Sequence, residues 1–212
     1  MADRNRLRGL YAITPETRDT VWLERAVGEA VAGGARIVQY RDKSGDAALR
    51  LRQAQALAAV CRRGGATFII NDDIGLALES GADGVHLGRE DGAIAGARAR
   101  LPAGKLLGAS CYDRLELARS AIDAGADHVA FGAVYTSSVK PGAVRAPLDL
   151  FRAARKAFDG PIVAIGGITA DNAAAVIEAG ADAVAVITAV FDAPDIRRAA
   201  ESIARLFPAR ND

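Results

Sequence analysis

In this 212-residue chain an arginine, two lysines and several carboxylates stand directly after short apolar runs, and together they could handle a phosphorylated ligand. The run 36–40 is followed by Arg41-Asp42-Lys43, 67–71 by Asp72-Asp73 and 84–88 by Arg89-Glu90-Asp91. The run 128–134 leads into Thr136-Ser137-Ser138-Val139-Lys140. If the runs ending at Asp72 and Asp91 are neighbouring strands, their backbones lie about 4.8 Å apart and both carboxylates reach one ion. Magnesium suits such a pair, because it takes few carboxylates and fills its octahedron with phosphate oxygens and water. Asp73 and Glu90 flank the two and could replace them. Arg41 offers phosphate a planar fork, whereas Lys43 and Lys140 offer compact charges. Lysine is scarce among the 27 basic residues (43, 105, 140 and 156), and two of these positions fall at run ends. A second anion seat is suggested by Gly166-Gly167 ahead of Thr169, with a short Ala189–Phe191 segment after the last run. Glycine lets phosphate approach backbone N–H groups, and loops 7 and 8 of many barrels are built this way. A plain tight turn is the simpler use of the same glycines.

Something must bring those run ends together, and a repeat in the chain does so. The copies read GGARIVQYRDK (33–43), SGADGVHLGRED (80–91), AGADHVAFGAVYTSSVK (124–140) and AGADAVAVITAV (179–190). Each is a glycine that can close a helix in the left-handed region, then an apolar run too short for a helix, then polar residues. Eight such runs occur: 8–13, 36–40, 67–71, 84–88, 106–111, 128–134, 161–166 and 183–187. Between them lie helical patterns, with Thr20, Asp46 and Thr169 as expected caps and short helices over 74–80 and 94–100. Strands alternating with helices predict an α/β chain folded as one (β/α)8 TIM barrel over 1–212, with polar residues gathered at the carboxyl ends of the strands. A doubly wound open sheet would want a G-x-G-x-x-G turn after its first strand, and LYAITPET at 10–17 has none.

Composition excludes several classes. With 27 basic and 26 acidic residues the net charge is +1, so there is no field for nucleic acid. No run reaches about 18 apolar residues and the amino terminus lacks a signal-peptide core, so no membrane partner and a cytoplasmic location are expected. Cys61 and Cys111 have neither metal nor redox spacing and read as reduced thiols. His86 and His128 lie in apolar strands and read as core or wall histidines rather than bases. Asp83, Asp127 and Asp182 belong to the repeated GAD turn and read as caps. Trp22 and Phe207 suit helix packing or a subunit contact, which leaves a homo-oligomer open.

QYRDK at 39–43, INDD at 70–73, GVHLGRED at 84–91, GASCYD at 108–113 and PIVAIGGIT at 161–169 resemble the thiamine phosphate synthase family. The similarity runs in order from LYAITPE at 10–16 to AVAVITAVF at 183–191. It implies a magnesium-dependent transferase that joins 4-amino-2-methyl-5-hydroxymethylpyrimidine diphosphate to a thiazole phosphate, carboxylated or not, and releases diphosphate. By the same resemblance Gln39, Tyr40, Arg41, Asp42, Lys43, Asn71, Ser110 and Lys140 form the pyrimidine diphosphate site. Arg41, Lys43, Ser110 and Lys140 are its catalytic members. Asp72 and Asp91 are implied as the Mg2+ ligands. Gly167, Ile187 and Thr188, with Ser137, Ser138 and Val139, are implied to seat the thiazole phosphate. Val139 departs from the family pattern, since its side chain cannot donate a hydrogen bond where the family carries a threonine. Two rivals stay open: a thiazole tautomerase of the same superfamily, and a non-catalytic barrel that binds a phosphorylated metabolite.

Overall fold

The computed structural model describes residues 4–88, 92–136 and 144–207, with the side chains of residues 4 and 5 left aside. A single 3-10 turn at Arg4–Leu7 precedes β1 (Gly9–Ile13). The remaining strands are β2 (Ala35–Tyr40), β3 (Thr67–Asn71), β4 (Gly84–Leu87), β5 (Leu106–Tyr112), β6 (His128–Phe131), β7 (Ile162–Ile165) and β8 (Ala183–Val186). Each pairs in parallel with the next, and β8 pairs with β1, so the sheet closes into an eight-stranded barrel. Around it lie α1 (Thr20–Ala32), α2 (Ala47–Gly64), α3 (Ile74–Glu79), α4 (Ile94–Arg100) and α5 (Leu115–Asp123). The ring is completed by α6 (Leu148–Ala157), α7 (Ala173–Glu178), α8 (Thr188–Phe191) and α9 (Ile196–Ala204). The expected barrel and alternation are therefore observed.

Successive strand side chains point to opposite faces, and this divides the apolar residues into two cores. Tyr11, Ile13, Ile37, Ile69, Leu106, Val163 and Ala185 fill the barrel interior. Leu10, Ala12, Val38, Tyr40, Phe68, Ile70 and Val85 pack outward against the helices. At the helix ends Gly34, Gly81, Gly125 and Gly180 all take positive φ (99°, 74°, 100° and 115°), the conformation in which each copy of the repeat turns from helix to strand.

Some element ends differ from expectation. The cap of α1 is Asp19, whose carboxylate accepts the Trp22 N–H at 2.9 Å; Thr20 is the first helical residue. Asp46 caps α2 as expected. Thr169 does not cap α7: it sits in the turn before it, its N–H held by Asn172 Oδ1 at 2.9 Å, and Asn172 is the residue at the cap position. β6 stops at Phe131: beyond it the Gly132 N–H still reaches the Tyr112 carbonyl of β5 and the Val134 N–H the Ile165 carbonyl of β7, but Ala133 between them turns to Val144. Trp22 and Phe207 both pack partly buried against the outer core.

The GAD aspartates lock the amino-terminal ends of the strands. Asp83 accepts the Phe68 N–H at 2.8 Å, Asp127 the Leu107 N–H at 2.8 Å and Asp182 the Ile162 N–H at 2.8 Å. Each thus reaches the preceding strand and each is also paired with an arginine: Arg6, Arg98 and Arg155 respectively. A backbone donor that would otherwise end unpaired is satisfied by a charge-assisted bond at each site.

Candidate active site

The carboxyl ends of the strands open into a cavity of about 490 Å3. Its floor is made by inward-facing residues, Tyr11 and Ile13 of β1, Gln39 of β2, His86 of β4, Ser110 of β5, and Val163 and Ile165 of β7. Gln39 is buried and donates its amide to the Tyr11 hydroxyl oxygen at 2.7 Å. Burial pushes the Tyr11 phenol well above its ordinary pKa, against the Gln39 bond, so it stays protonated. Arg41 reaches the same cavity from the loop after β2. That loop is tied to the loop after β1: the Thr14 hydroxyl accepts the Arg41 N–H at 3.0 Å, and Glu16 accepts the Lys43 N–H at 3.2 Å. Thr14 and Glu16 hold the 39–43 loop in place, and they lie in the LYAITPE stretch.

Tyr40 is a correction. Expected in the ligand site, its side chain alternates outward from Gln39 and is buried among the helices, where its hydroxyl donates to Gln53 Oε1 at 2.8 Å. Five contiguous residues of a motif cannot all face a barrel mouth when two of them end a strand. Asp42 is committed locally, its Oδ1 accepting the Ser44 N–H at 2.9 Å and the Ser44 hydroxyl at 2.6 Å.

A shallow charged shelf adjoins the cavity and shares Asn71 with it, adding Asp42, Lys43, Asp72 and Asp73. Lys43 Nζ lies 2.9 Å from Asp72 Oδ2, and Asn71 Nδ2 donates to the same oxygen at 2.5 Å. Asp72 holds a left-handed backbone conformation, φ 65°, that a non-glycine residue adopts only against strain. Its N–H is fixed by the His86 carbonyl at 2.8 Å. Asp73, by contrast, is occupied: it caps α3 through the Leu76 N–H at 2.9 Å and pairs with Arg50 at 3.1 Å.

On the opposite side of the cavity stand Gly166, Gly167, Ile187 and Thr188. Both glycines have positive φ, 104° and 62°. A Cβ on Gly167 would stand 2.3 Å from the Thr136 carbonyl oxygen, so only glycine lets the loop after β7 lie against the loop after β6.

His86 and His128 meet inside the barrel. Their rings are 5.4 Å apart, with His86 Nδ1 3.4 Å from His128 Nε2, and His86 Nε2 shares a 2.9 Å hydrogen bond with Ser110 Oγ. Gly108 makes the room, because a Cβ there would come within 2.2 Å of His128 Nε2 and 2.4 Å of His86 Nδ1. Burial pushes His86 down to about 4, with Asp72 opposing, and His128 down to about 3, with His86 adding to the effect. Both rings are neutral at pH 7, and His86 orients a hydroxyl that faces the cavity. Both are therefore wall and core histidines, as their strands implied, although the sequence did not pair them. The thiols of Cys61 and Cys111 are buried and free, and burial pushes each up to about 12.

Arg41, Lys43, Gln39, Asn71, Asp72, Ser110, Gly167, Ile187 and Thr188 are thus brought to one mouth. The expected ligand Asp91, its flanking alternative Glu90 and the segment Ser137, Ser138, Val139 and Lys140 lie outside the described residues. Among the described residues no group of three or more His, Cys, Asp or Glu side chains gathers as a metal site, and no helix is long and apolar enough to cross a membrane.

The closed barrel and its polar carboxyl-end mouth define a (β/α)8 barrel of the class that takes small ligands at that mouth. The family described as thiamine monophosphate synthase matches residues 10–190. The chain is 58% identical to the thiamine-phosphate synthase of Chromobacterium violaceum over 205 residues, 97% of this chain and 99% of that one. It is 57% identical over 201 residues to the thiamine-phosphate synthase of Thiobacillus denitrificans, covering 95% of each. Its structure resembles thiamine phosphate pyrophosphorylase from Pyrococcus furiosus with a TM-score of 0.86 at 36% identity, over 96% of both chains. The chain belongs to the thiamine monophosphate synthase family.

Proposed function

We propose that this chain is a thiamine-phosphate synthase, a transferase that joins a hydroxymethylpyrimidine diphosphate to a thiazole phosphate. One observation carries the reading: an apolar-walled chamber with fixed polar groups opens directly onto a charged shelf. A flat heterocycle fits the chamber, edged by Gln39 and by Ser110 under His86. Its diphosphate then reaches Arg41 and Lys43 with Asn71 beside them. The second substrate's phosphate fits the opposite wall at Gly167 and Thr188, so the two reactants face each other across the cavity.

In the reaction the bond between the pyrimidine methylene carbon and the diphosphate oxygen breaks, and the electron pair leaves with diphosphate. The thiazole ring nitrogen then gives its lone pair to the methylene carbon. That nitrogen carries no proton, so no general base is needed. Arg41 and Lys43, with Lys140 by resemblance, meet charge as it develops on the leaving group, and each 1.36 kcal/mol of preferential stabilisation is worth roughly tenfold in rate. Holding both phosphates makes the attack effectively intramolecular. Asp72 is a hard oxygen donor fixed at the mouth, which fits one ligand of Mg2+; Asp91 is the second by resemblance. When bound, the ion supplies neutralising charge to the diphosphate. Ionic pairing of Lys43 with Asp72 keeps that lysine at the shelf before substrate arrives.

The test mixes the two substrates with Mg2+ and follows thiamine phosphate and diphosphate together. Release of diphosphate is expected only with both substrates present, and Asp72→Ala should lower turnover by roughly a hundredfold or more. Binding of either substrate with no turnover would make the chain a binding barrel instead. Full activity of Asp72→Ala and Asp91→Ala under excess chelator would remove the metal from the reading.

A further inference from the structure

The barrel's other end holds an inversion within its own repeat. Before β4, β6 and β8 the GAD turn supplies an aspartate that accepts a strand N–H and pairs with an arginine. Before β2 the same turn reads Gly34-Ala35-Arg36, and a guanidinium stands where the other copies carry a carboxylate. Arg36 borders a cavity of about 480 Å3 at the amino-terminal ends of β1 to β3, together with Arg6, Arg8 and Arg62. Asp83 is the one carboxylate lining it among the described residues, and both of its oxygens are taken. Oδ1 binds Arg6 at 2.6 Å and Oδ2 the Phe68 N–H at 2.8 Å.

Arg8, Arg36 and Arg62 have no such partner. None of the three side chains makes a hydrogen bond or ion pair with a described residue, although the Arg62 carbonyl accepts the Gly65 N–H. The missing side chain at Gly9 lets the Arg36 stem lie against the cavity wall, since a Cβ there would stand 3.2 Å from Arg36 Cγ. Strand amino termini in barrels ordinarily carry stabilising pairs, as Arg6–Asp83 does here. Three further arginines lining one concavity add like charge that no free carboxylate there offsets, and like charges repel. An anion would turn that repulsion into binding. Each guanidinium fork matches one phosphoryl group bidentately, so three around one concavity suit more than one phosphate.

We propose that this cavity is a second anion site, separate from the mouth, that binds a small oligophosphate. The strands put roughly 15 Å of packed barrel between the two ends. An occupant here meets no group of the proposed reaction, so the site is one for a ligand that is bound and not transformed.

Inorganic tripolyphosphate in chelator, titrated into the 15N-labelled chain, tests this by the amide shifts of Gly34, Gly65 and Gly81. Saturable shifts at these three glycines are expected. Arg36→Asp restores the carboxylate of the other repeats and should raise the dissociation constant read there by roughly tenfold to a hundredfold. Arg62→Gln, exposed near the end of α2 and harmless to the fold, should raise it about tenfold. The shift of Gly167, at the mouth, should titrate identically in all three proteins. Absence of saturable shifts at the three glycines overturns the proposal, and so does an unchanged dissociation constant in both variants.

Discussion

Lowering the pH from 7 to 5 should cost this protein about 3.5 kcal/mol of stability, through two side chains alone. The chain contains only two histidines, and the fold buries both of them in contact. An exposed histidine with a pKa of about 6.5 takes up about three-quarters of a proton across this window in the unfolded chain. The native rings, pushed down to about 4 and about 3, take up almost none. The unfolded state therefore binds more protons, and stability falls as pH falls: it is full above about pH 6.5 and is lost progressively toward the native values. Because both native values lie below the window, the size of the change depends on the unfolded pKa, and integration gives about 1.8 kcal/mol per ring. Against a typical stability of about 5–15 kcal/mol this is a large fraction. Carboxylates contribute little above pH 5, which isolates the pair. Urea unfolding at pH 7, 6 and 5, with the midpoint and slope fitted at each, measures it. His128→Leu should halve the pH-dependent loss whatever it does to stability at pH 7. A wild-type loss below about 1 kcal/mol, or an undiminished loss in His128→Leu, would refute the buried neutral pair.

Gly108→Ala puts a methyl group where two imidazoles now sit, so the rings must retreat by about 1 Å to reach ordinary contact. It should lower stability by about 1–3 kcal/mol and, by pulling His86 from Ser110, reduce turnover in the coupled assay. Gly167→Ala should leave the melting temperature within a few degrees yet raise KM for the thiazole phosphate more than it lowers kcat, because the strained φ and the Thr136 carbonyl force the loop away from the cavity. Asp182→Ala leaves the Ile162 N–H and Arg155 without their shared partner; a loss of about 1–3 kcal/mol in urea unfolding is expected, with activity per folded molecule unchanged.

Much of the architecture was legible in the chain. Apolar runs of five to seven residues between helices are found within a residue or two of most observed strands, since a strand buried on both faces must be apolar throughout. β6 ends sooner than its apolar run because Gly132-Ala133-Val134 is as apolar as a strand, and only the pairing of Ala133 with Val144 and Ala146 shows that the chain leaves the sheet there. Of the candidate site, the charged residues were legible because charge after a buried strand has nowhere to go but the mouth. The outward course of the Tyr40 side chain is hidden for the opposite reason: contiguity in QYRDK masks the alternation that turns every second side chain outward. The pairing of His86 with His128 gives no signal in the chain, being 42 residues long in sequence and made possible by the absence of a side chain at Gly108.

Local chemistry alone, through glycine turns, capping aspartates and the period of the apolar runs, determined that this chain makes repeated strand–helix units with polar residues at one end. The parallel pairing of each strand with the next, completed by β8 on β1, decided the rest. It set inward against outward at every strand position, brought Lys43 to Asp72 and His86 to Ser110, and placed Arg36 beside three other arginines at the far end. Side-chain direction and contacts across distant segments exist only once the strands have paired, because each depends on the register of a neighbouring strand.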